Sequence, residues 1–292
     1  MPGNPRIAVL GSPGAFTRHA VNTLCESGVP PVALMVGTTR LPRTRGPIPV
    51  EVREPDAGAY GVEVVRAPDP NHPEAIASLE RIRPDLLLLA CLPHAVRRAT
   101  RETARLGALN LHPSALPRFR GPDPVFWQLR AGLTRAGVTV HVATGAVDAG
   151  PVVAQRWLEV RAGIGAEALT AALVRLGIRA LVETLPEIRR RIHEAVPQDE
   201  SGATHQPHAR PEDFRLDTAW TAERAYRFVE GTRGPGTTFT ISAGEREIEI
   251  ERAVSVDPAS ESEAAIAHSG GIVSIRFAEG VLRAVPARSA TR

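Results

Sequence analysis

The segment Asn110 to Gly121, NLHPSALPRFRG, places an amide and an imidazole two residues apart, and Asp148 follows in a second glycine-flanked turn, VDAG. In extended backbone, side chains two residues apart share a face, so Asn110 and His112 can converge on one substrate atom. Transfer of an acyl group to an amine needs such a set. An amide N–H holds the oxygen that becomes negative, and an imidazole adds charge or a proton there. A carboxylate such as Asp148 orients the imidazole and accepts, directly or through water, the proton shed by the attacking amine. Taken alone, each residue has a plainer use: Asn as a cap, His as packing, Asp as a turn former. Their conjunction favours chemistry. Pro113 and Pro117 stiffen the path leading away.

The elements that must position these groups follow from apolar runs and helical periods. Strands are expected at Arg6 to Leu10, Val32 to Val36, Val62 to Val65, Asp85 to Ala90 and Ala108 to Leu111. Helices are expected at about Phe16 to Ser27, Glu74 to Ile82 and His94 to Arg105. This order predicts an α/β fold with a Rossmann-like, mostly parallel sheet. The catalytic turn then sits at a strand's carboxyl end, where open parallel sheets place their ligands. His141, inside the alternating strand GVTVHVAT, reads as a structural or wall residue, and Phe126 and Trp127 fit a helix packed on the sheet.

Other segments have two uses open to them. The turn Gly11-Ser12-Pro13-Gly14 is either a plain strand-to-helix turn or a phosphate loop; its spacing is not GxGxxG, and Pro13 removes a donor. No acidic residue stands at a convincing distance for a ribose contact, which disfavours a dinucleotide. Arg118 and Arg120 suit a phosphate or a carboxylate tail, or else support the turn from its surface. Arg189-Arg190-Arg191, on a helix near Leu181 to Glu194, reads as a solvated face that becomes a phosphate contact if a nucleic acid binds.

Composition excludes more than it proves. All 35 basic residues other than histidine are arginine, so Schiff-base, pyridoxal-phosphate and P-loop lysines are impossible. A GC-rich genome accounts for that bias. The net charge of +3 permits a phosphate-bearing partner without requiring one. No run approaches the roughly 20 apolar residues of a membrane span, and no apolar signal region precedes the first strand, so a cytoplasmic enzyme is expected. Cys25 and Cys91 sit in apolar contexts without metal-ligand spacing and are expected as buried thiols.

After Val196 the chain becomes polar and proline-bearing, which reads as a linker over residues 197–212 between a catalytic domain, 1–196, and a small β-rich domain, 213–292. In the last of these a helix is expected at about Ala222 to Glu230, with strands around Thr237 to Ile241, Glu245 to Val256 and Gly271 to Val285.

Taken together, Asn110, His112, Ser114, Leu116, Pro117, Phe119, Arg120 and Gly121, then Pro124 and Trp127, then Gly137-Val138-Thr139, and finally Asp148 and Gly150, resemble the 10-formyltetrahydrofolate-dependent formyltransferases. Within that group they are most similar to the methionyl-tRNA formyltransferases and the amino-sugar N-formyltransferases. The resemblance spans about residues 6 to 217 and is dense from Asp85 to Gln155; Gln198, Ala203, Thr204 and His205 echo the family's bridge. It implies a catalytic trio of Asn110, His112 and Asp148 and a small barrel-like C-terminal domain. It also implies a folate pocket lined by Pro93, His94, Ala95 and Val96, by Ser114, Ala115, Leu116 and Pro117, and by Ala146 and Val147. The loop Cys91 to Val96 would meet the pterin largely through backbone groups.

By the same resemblance the donor is 10-formyltetrahydrofolate, no metal takes part, and the acceptor is methionyl-tRNA or a small amine such as a nucleotide-linked amino sugar. Neither DNA nor a membrane is an expected partner. A formyltetrahydrofolate hydrolase and a non-catalytic folate- or RNA-binding protein are the remaining alternatives. Two departures stand out. Ala115 replaces the family's usual leucine, which is expected to trim the pocket wall, and Arg40, Arg43 and Arg45 give only a short echo of a basic insertion found in the tRNA enzymes.

Overall fold

A run such as Leu86 to Ala90 has no polar side chain to offer water, so it must lie in the middle of a sheet covered on both faces. The computed structural model describes residues 4–37, 44–45, 48–49, 60–93, 95–243, 246–259 and 265–287. In its first part the order is β1 (Ile7–Gly11), α1 (Ala15–Glu26), β2 (Ala33–Gly37), β3 (Thr44–Arg45), β4 (Ile48–Pro49), β5 (Glu63–Ala67), α2 (Pro73–Ile82) and β6 (Leu86–Ala90). Then come α3 (Arg98–Arg101), β7 (Ala108–His112), α4 (Pro124–Arg130), β8 (Arg135–Val142), β9 (Val152–Glu159), α5 (Ala166–Thr184) and α6 (Ile188–His193).

Seven strands form one sheet in the order β5-β2-β1-β6-β7-β8-β9. The first five in that order are parallel neighbours, and β7, β8 and β9 pair antiparallel. Side chains alternate between the two covered faces. Val9, Leu34, Leu86 and Leu88 belong to the larger apolar core with α1, α4 and α5, whereas Ala8, Leu10, Leu87 and Leu89 pack with α2 on the other side. The chain reverses its direction of growth between β1 and β6, and a crevice opens at the carboxyl ends of such a pair.

The helix expected at about His94 to Arg105 forms only as the single turn α3. Asn71 takes the backbone groups a longer helix needs: its amide donates to Ala95 O at 3.0 Å and its oxygen accepts from Arg97 N at 2.7 Å. His94 lies outside the described residues, as do Arg40, Arg43 and the Arg45 side chain. Around Leu181 the chain runs from α5 through a tight turn at Leu185–Glu187 into α6, with Pro186 at the break. Cys25 is partly buried, and Cys91, expected to be buried, is exposed at the end of β6.

The second part comprises β10 (Arg215–Asp217), α7 (Ala222–Thr232), β11 (Phe239–Ala243), β12 (Arg246–Asp257), β13 (Ile266–Ser269), β14 (Ile272–Arg276) and β15 (Val281–Pro286). Its six-stranded sheet has the order β10-β11-β12-β15-β14-β13, antiparallel except for β10 beside β11. The strand expected from Gly271 to Val285 is two, folded at Gly280, whose φ of 82° suits a residue without Cβ. An aromatic cluster joins the two parts: Phe126 on α4 packs 5.2 Å from Phe214 and 5.5 Å from Phe228 on α7, and Phe239 lies 5.6 Å from Phe214.

The segment expected as a linker is pinned rather than loose. It contains a short 3-10 turn at Glu200–Gly202 and leads into another at Pro211–Phe214, and its backbone pairs with that of Pro117 and Arg120. Among the described residues no helix is long and apolar enough to cross a membrane.

Candidate active site

Residues Asn110 and His112 sit on β7, whose odd-numbered neighbours Leu109 and Leu111 point into the apolar core. The strand's alternation therefore turns the amide and the imidazole together toward the other face. Antiparallel pairing with β8 sets Asn110 opposite His141 and His112 opposite Thr139. Asp148 arrives from the turn between β8 and β9 with φ of 51°, the left-handed region that aspartate tolerates better than most residues. Gly150 follows, and any Cβ there would fall 1.7 Å from Val142 O, so the turn closes tightly on the end of β8.

Asp148 is the hub. Its Oδ1 accepts from Asn110 Nδ2 at 3.0 Å and lies 3.6 Å from both His112 Nδ1 and His141 Nε2. Its Oδ2 accepts from Gly121 N at 2.8 Å. Burial works against the carboxylate, but the His141 and His112 imidazoles and the Gly121 N–H outweigh it and lower its pKa to about 2. Asp148 is thus ionised at any ordinary pH.

Carbonyl partners fix both imidazoles. His112 Nε2 lies 2.8 Å from Phe119 O, and His141 Nδ1 lies 3.0 Å from Val142 O. A carbonyl only accepts, so His112 carries its proton on Nε2 and His141 carries its own on Nδ1. His141 Nε2 then offers a lone pair to Asn110 Nδ2, 3.1 Å away. The Asn110 amide engages Asp148 with one N–H and His141 with the other. Desolvation pushes the His112 pKa below its usual 6.5, further lowered by His141 and only partly offset by Asp148 and the Phe119 carbonyl. His112 is therefore neutral near pH 7, with the lone pair of Nδ1 beside a permanent carboxylate.

These groups open onto a cleft of about 550 Å³. Of the residues expected to bind folate, Pro93, Ala95, Val96, Ala146 and Val147 line it, along with His141 and the turn Ser12 to Gly14 at the end of β1. Ser114, Ala115, Leu116 and Pro117 are not among its walls. Hydrogen bonding turns them away: Thr139 Oγ1 donates to Ser114 O at 2.7 Å and accepts from Leu116 N at 3.2 Å, and Gln155 donates to Leu116 O at 2.9 Å. Pro117 donates nothing, and its carbonyl accepts from Thr204 N at 3.2 Å. Ala115 packs on Gly137, where an ideal Cβ would lie 2.5 Å from its methyl, so its small size serves strand packing rather than a trimmed pocket wall.

Arg120 is not available to a ligand either. Its guanidinium is buried and held by Gln198 and Glu200, whereas Arg118 is exposed with its guanidinium over the Phe119 ring. The place of His141 beside Asn110 was accessible to sequence reasoning only through the register of two antiparallel strands. The role of the Ser12 to Gly14 turn follows from its neighbour across the sheet, since Ser12 N donates to Cys91 O at 3.2 Å where β1 and β6 part.

An α/β sheet with a charged hub and a cleft at its carboxyl edge places a ligand site there, and comparison supplies the class. Residues 6–185 match the Formyl transferase family. A curated methionyl-tRNA formyltransferase from Chloroflexus aggregans is 37% identical over 219 residues, covering 74% of this chain and 69% of its own length. The chain belongs to the formyltransferase family and is a formyl-transferring enzyme. Among solved structures, an N-formyltransferase from Helicobacter canadensis, in complex with folinic acid and dTDP-3-aminofucose, shares the fold with a TM-score of 0.66 at 10% identity, covering 97% of this chain and 99% of its own. A variant of HypX from Aquifex aeolicus shares it with a TM-score of 0.59 at 20% identity; this chain spans 45% of that protein, with 97% of itself covered.

Proposed function

We propose that this enzyme moves the formyl group of 10-formyltetrahydrofolate onto the amine of methionyl-tRNA, with Asn110, His112 and Asp148 doing the chemistry. The observation that carries the reading is the meeting of amide, neutral imidazole and ionised carboxylate at one end of a single cleft. A cleft of about 550 Å³ suits a flat heterocycle with a short tail. Pro93, Ala95, Val96, Ala146 and Val147 line this cleft, where the pterin edge would sit.

In this reading the neutral amine attacks the formyl carbon, and its carbonyl oxygen becomes an oxyanion. An Asn110 N–H meets that oxygen in place of His141 or Asp148, which it engages at rest. His112 Nδ1 takes the proton shed by the amine, and the adjacent Asp148 carboxylate stabilises the imidazolium. The same proton then passes to the departing folate nitrogen as its bond to carbon breaks. Amine and 10-formyltetrahydrofolate thus become formamide and tetrahydrofolate with no covalent enzyme intermediate and no net proton change.

Support for a methionyl-tRNA acceptor comes from relatives such as the Chloroflexus aggregans protein. Residues 1–196 then serve as the catalytic domain, 197–212 as a bridge and 213–292 as a small β-rich domain of a cytoplasmic enzyme. The test presents labelled 10-formyltetrahydrofolate with methionyl-tRNA, with nucleotide-linked amino sugars, and with no acceptor. Label on methionyl-tRNA supports the reading. Label on the sugars alone reassigns the acceptor, formate release without an acceptor identifies a hydrolase, and binding without transfer identifies a non-catalytic protein.

A further inference from the structure

The bridge residue Gln198 sits far from the trio in sequence, yet its side chain touches the turn that carries Asp148. Its Nε2 donates to Asp148 O and to Gly150 O, both at 2.8 Å. Its Oε1 accepts from Arg120 Nε at 3.1 Å and from Nη2 at 2.8 Å. An amide offers two donors on one side and an acceptor on the other, and both ends here meet partners of fixed sign. Arg120 is 2% exposed, and its charge is answered by Glu200 through Nη1 at 2.9 Å and Nη2 at 2.7 Å.

The backbone around Gln198 fastens both loops of the site. Val152 and Val196 exchange N–H···O bonds of 2.7 and 2.9 Å just after the Asp148 turn. On the other side Arg120 N donates to Thr204 O and Gln206 N to Arg120 O, both at 2.9 Å, and Phe119 N donates to Thr204 Oγ1 at 2.8 Å. Phe119 is the residue whose carbonyl orients His112, and Gly121 next door donates to Asp148 Oδ2. The segment 196–206 is therefore a strap across the two loops, and Gln198 is its one side chain bonded to both Arg120 and the Asp148 turn.

We propose that Gln198 is a positioning residue for formyl transfer, holding the Asp148 turn against the Phe119-Arg120-Gly121 loop so that carboxylate, imidazole and amide keep their mutual geometry. The proposal rests on the trio assignment for its effect on rate, but its structural half stands without it. Displacement of a catalytic group by about an ångström costs on the order of a hundredfold in rate, so Gln198→Ala should lower kcat by about ten- to a hundredfold. The KM for 10-formyltetrahydrofolate should stay within about twofold, because Gln198 does not line the cleft.

Gln198→Glu separates positioning from mere support of Arg120. It keeps an oxygen for the guanidinium but turns a second oxygen toward the Asp148 and Gly150 carbonyls, and it should lose kcat at least as severely as Gln198→Ala. Amide hydrogen exchange of Gly121, whose N–H is held by Asp148, supplies a readout free of turnover and should quicken at least tenfold in both variants. Parental kcat in Gln198→Glu, a loss confined to KM, unchanged Gly121 exchange, or failure of both variants to fold would each overturn the proposal. If the parental protein formylates nothing, the functional reading falls while Gly121 exchange still decides the strap.

Discussion

The turn from Asn110 to Gly121 and the strap from Val196 to Gln206 lie side by side, but the first sends two polar side chains to the cleft and the second sends none. The turn's information is in residue types at a fixed spacing on one strand. The strap's information is in where its amides and carbonyls point, which only the folded chain reveals. The difference teaches that one region supplies reactive groups and the other their relative placement, so damage to each should look different in kinetics.

The largest effects belong to the turn and its partner. Asn110→Ala, His112→Ala and Asp148→Asn should each lower kcat about a hundred- to a thousandfold, the usual cost of an oxyanion donor or a comparable group. Steady-state turnover with the fold checked by circular dichroism measures this; near-parental rates in all three would end the trio assignment. Substitutions at Gln198 come next, with the smaller and purely kcat-borne losses described above.

Ala115→Leu sharpens the contrast within the turn itself. On the resemblance to formyltransferases a leucine there would refill a pocket wall and change the KM for folate. In the structure Ala115 lies against Gly137 on β8 and outside the cleft, so added volume there should act on unfolding free energy, by about 1–3 kcal/mol, and leave KM unaltered. Denaturant unfolding beside steady-state kinetics distinguishes the two outcomes.

The smallest expected effect is on pH dependence. Neutral His112 is the active form, so activity is present above its pKa and is lost as pH falls through it. Burial lowers that pKa, which places the acid limb of kcat/KM below pH 6.5. Asp148, held at about 2, stays ionised throughout and does not set the limb. Removing its charge in Asp148→Asn deletes a contribution that raises the His112 pKa, so the residual activity should show its acid limb at still lower pH. A limb that moves upward would contradict the arrangement.

Much of the sheet was legible because apolar runs such as LLLLA have no other stable place, and period-two alternation on β7 already put Asn110 and His112 on one face. The failures share a cause. The helix expected over His94 to Arg105 starts only at Arg98, because Asn71, a distant side chain, claims the backbone of Ala95 and Arg97. The polar texture of residues 197–212 agrees with the exposure of most of them, but it did not reveal that Gln198 bonds to Arg120 and to the Asp148 turn. Ser114 to Pro117 belong to a motif with catalytic residues, yet their backbone is tied to Thr139 and Gln155, away from the cleft. In each case tertiary hydrogen bonding decided what composition and proximity in sequence did not.

Single-turnover mixing of excess enzyme with 10-formyltetrahydrofolate labelled in the formyl carbon, chased with methionyl-tRNA, tests the central claim most directly. The account predicts that label appears on the methionyl amine in the parental protein and that its rate falls by at least about a hundredfold in His112→Ala. Transfer at equal rates in the two proteins, or retention of all label on the folate in the parent, would contradict it.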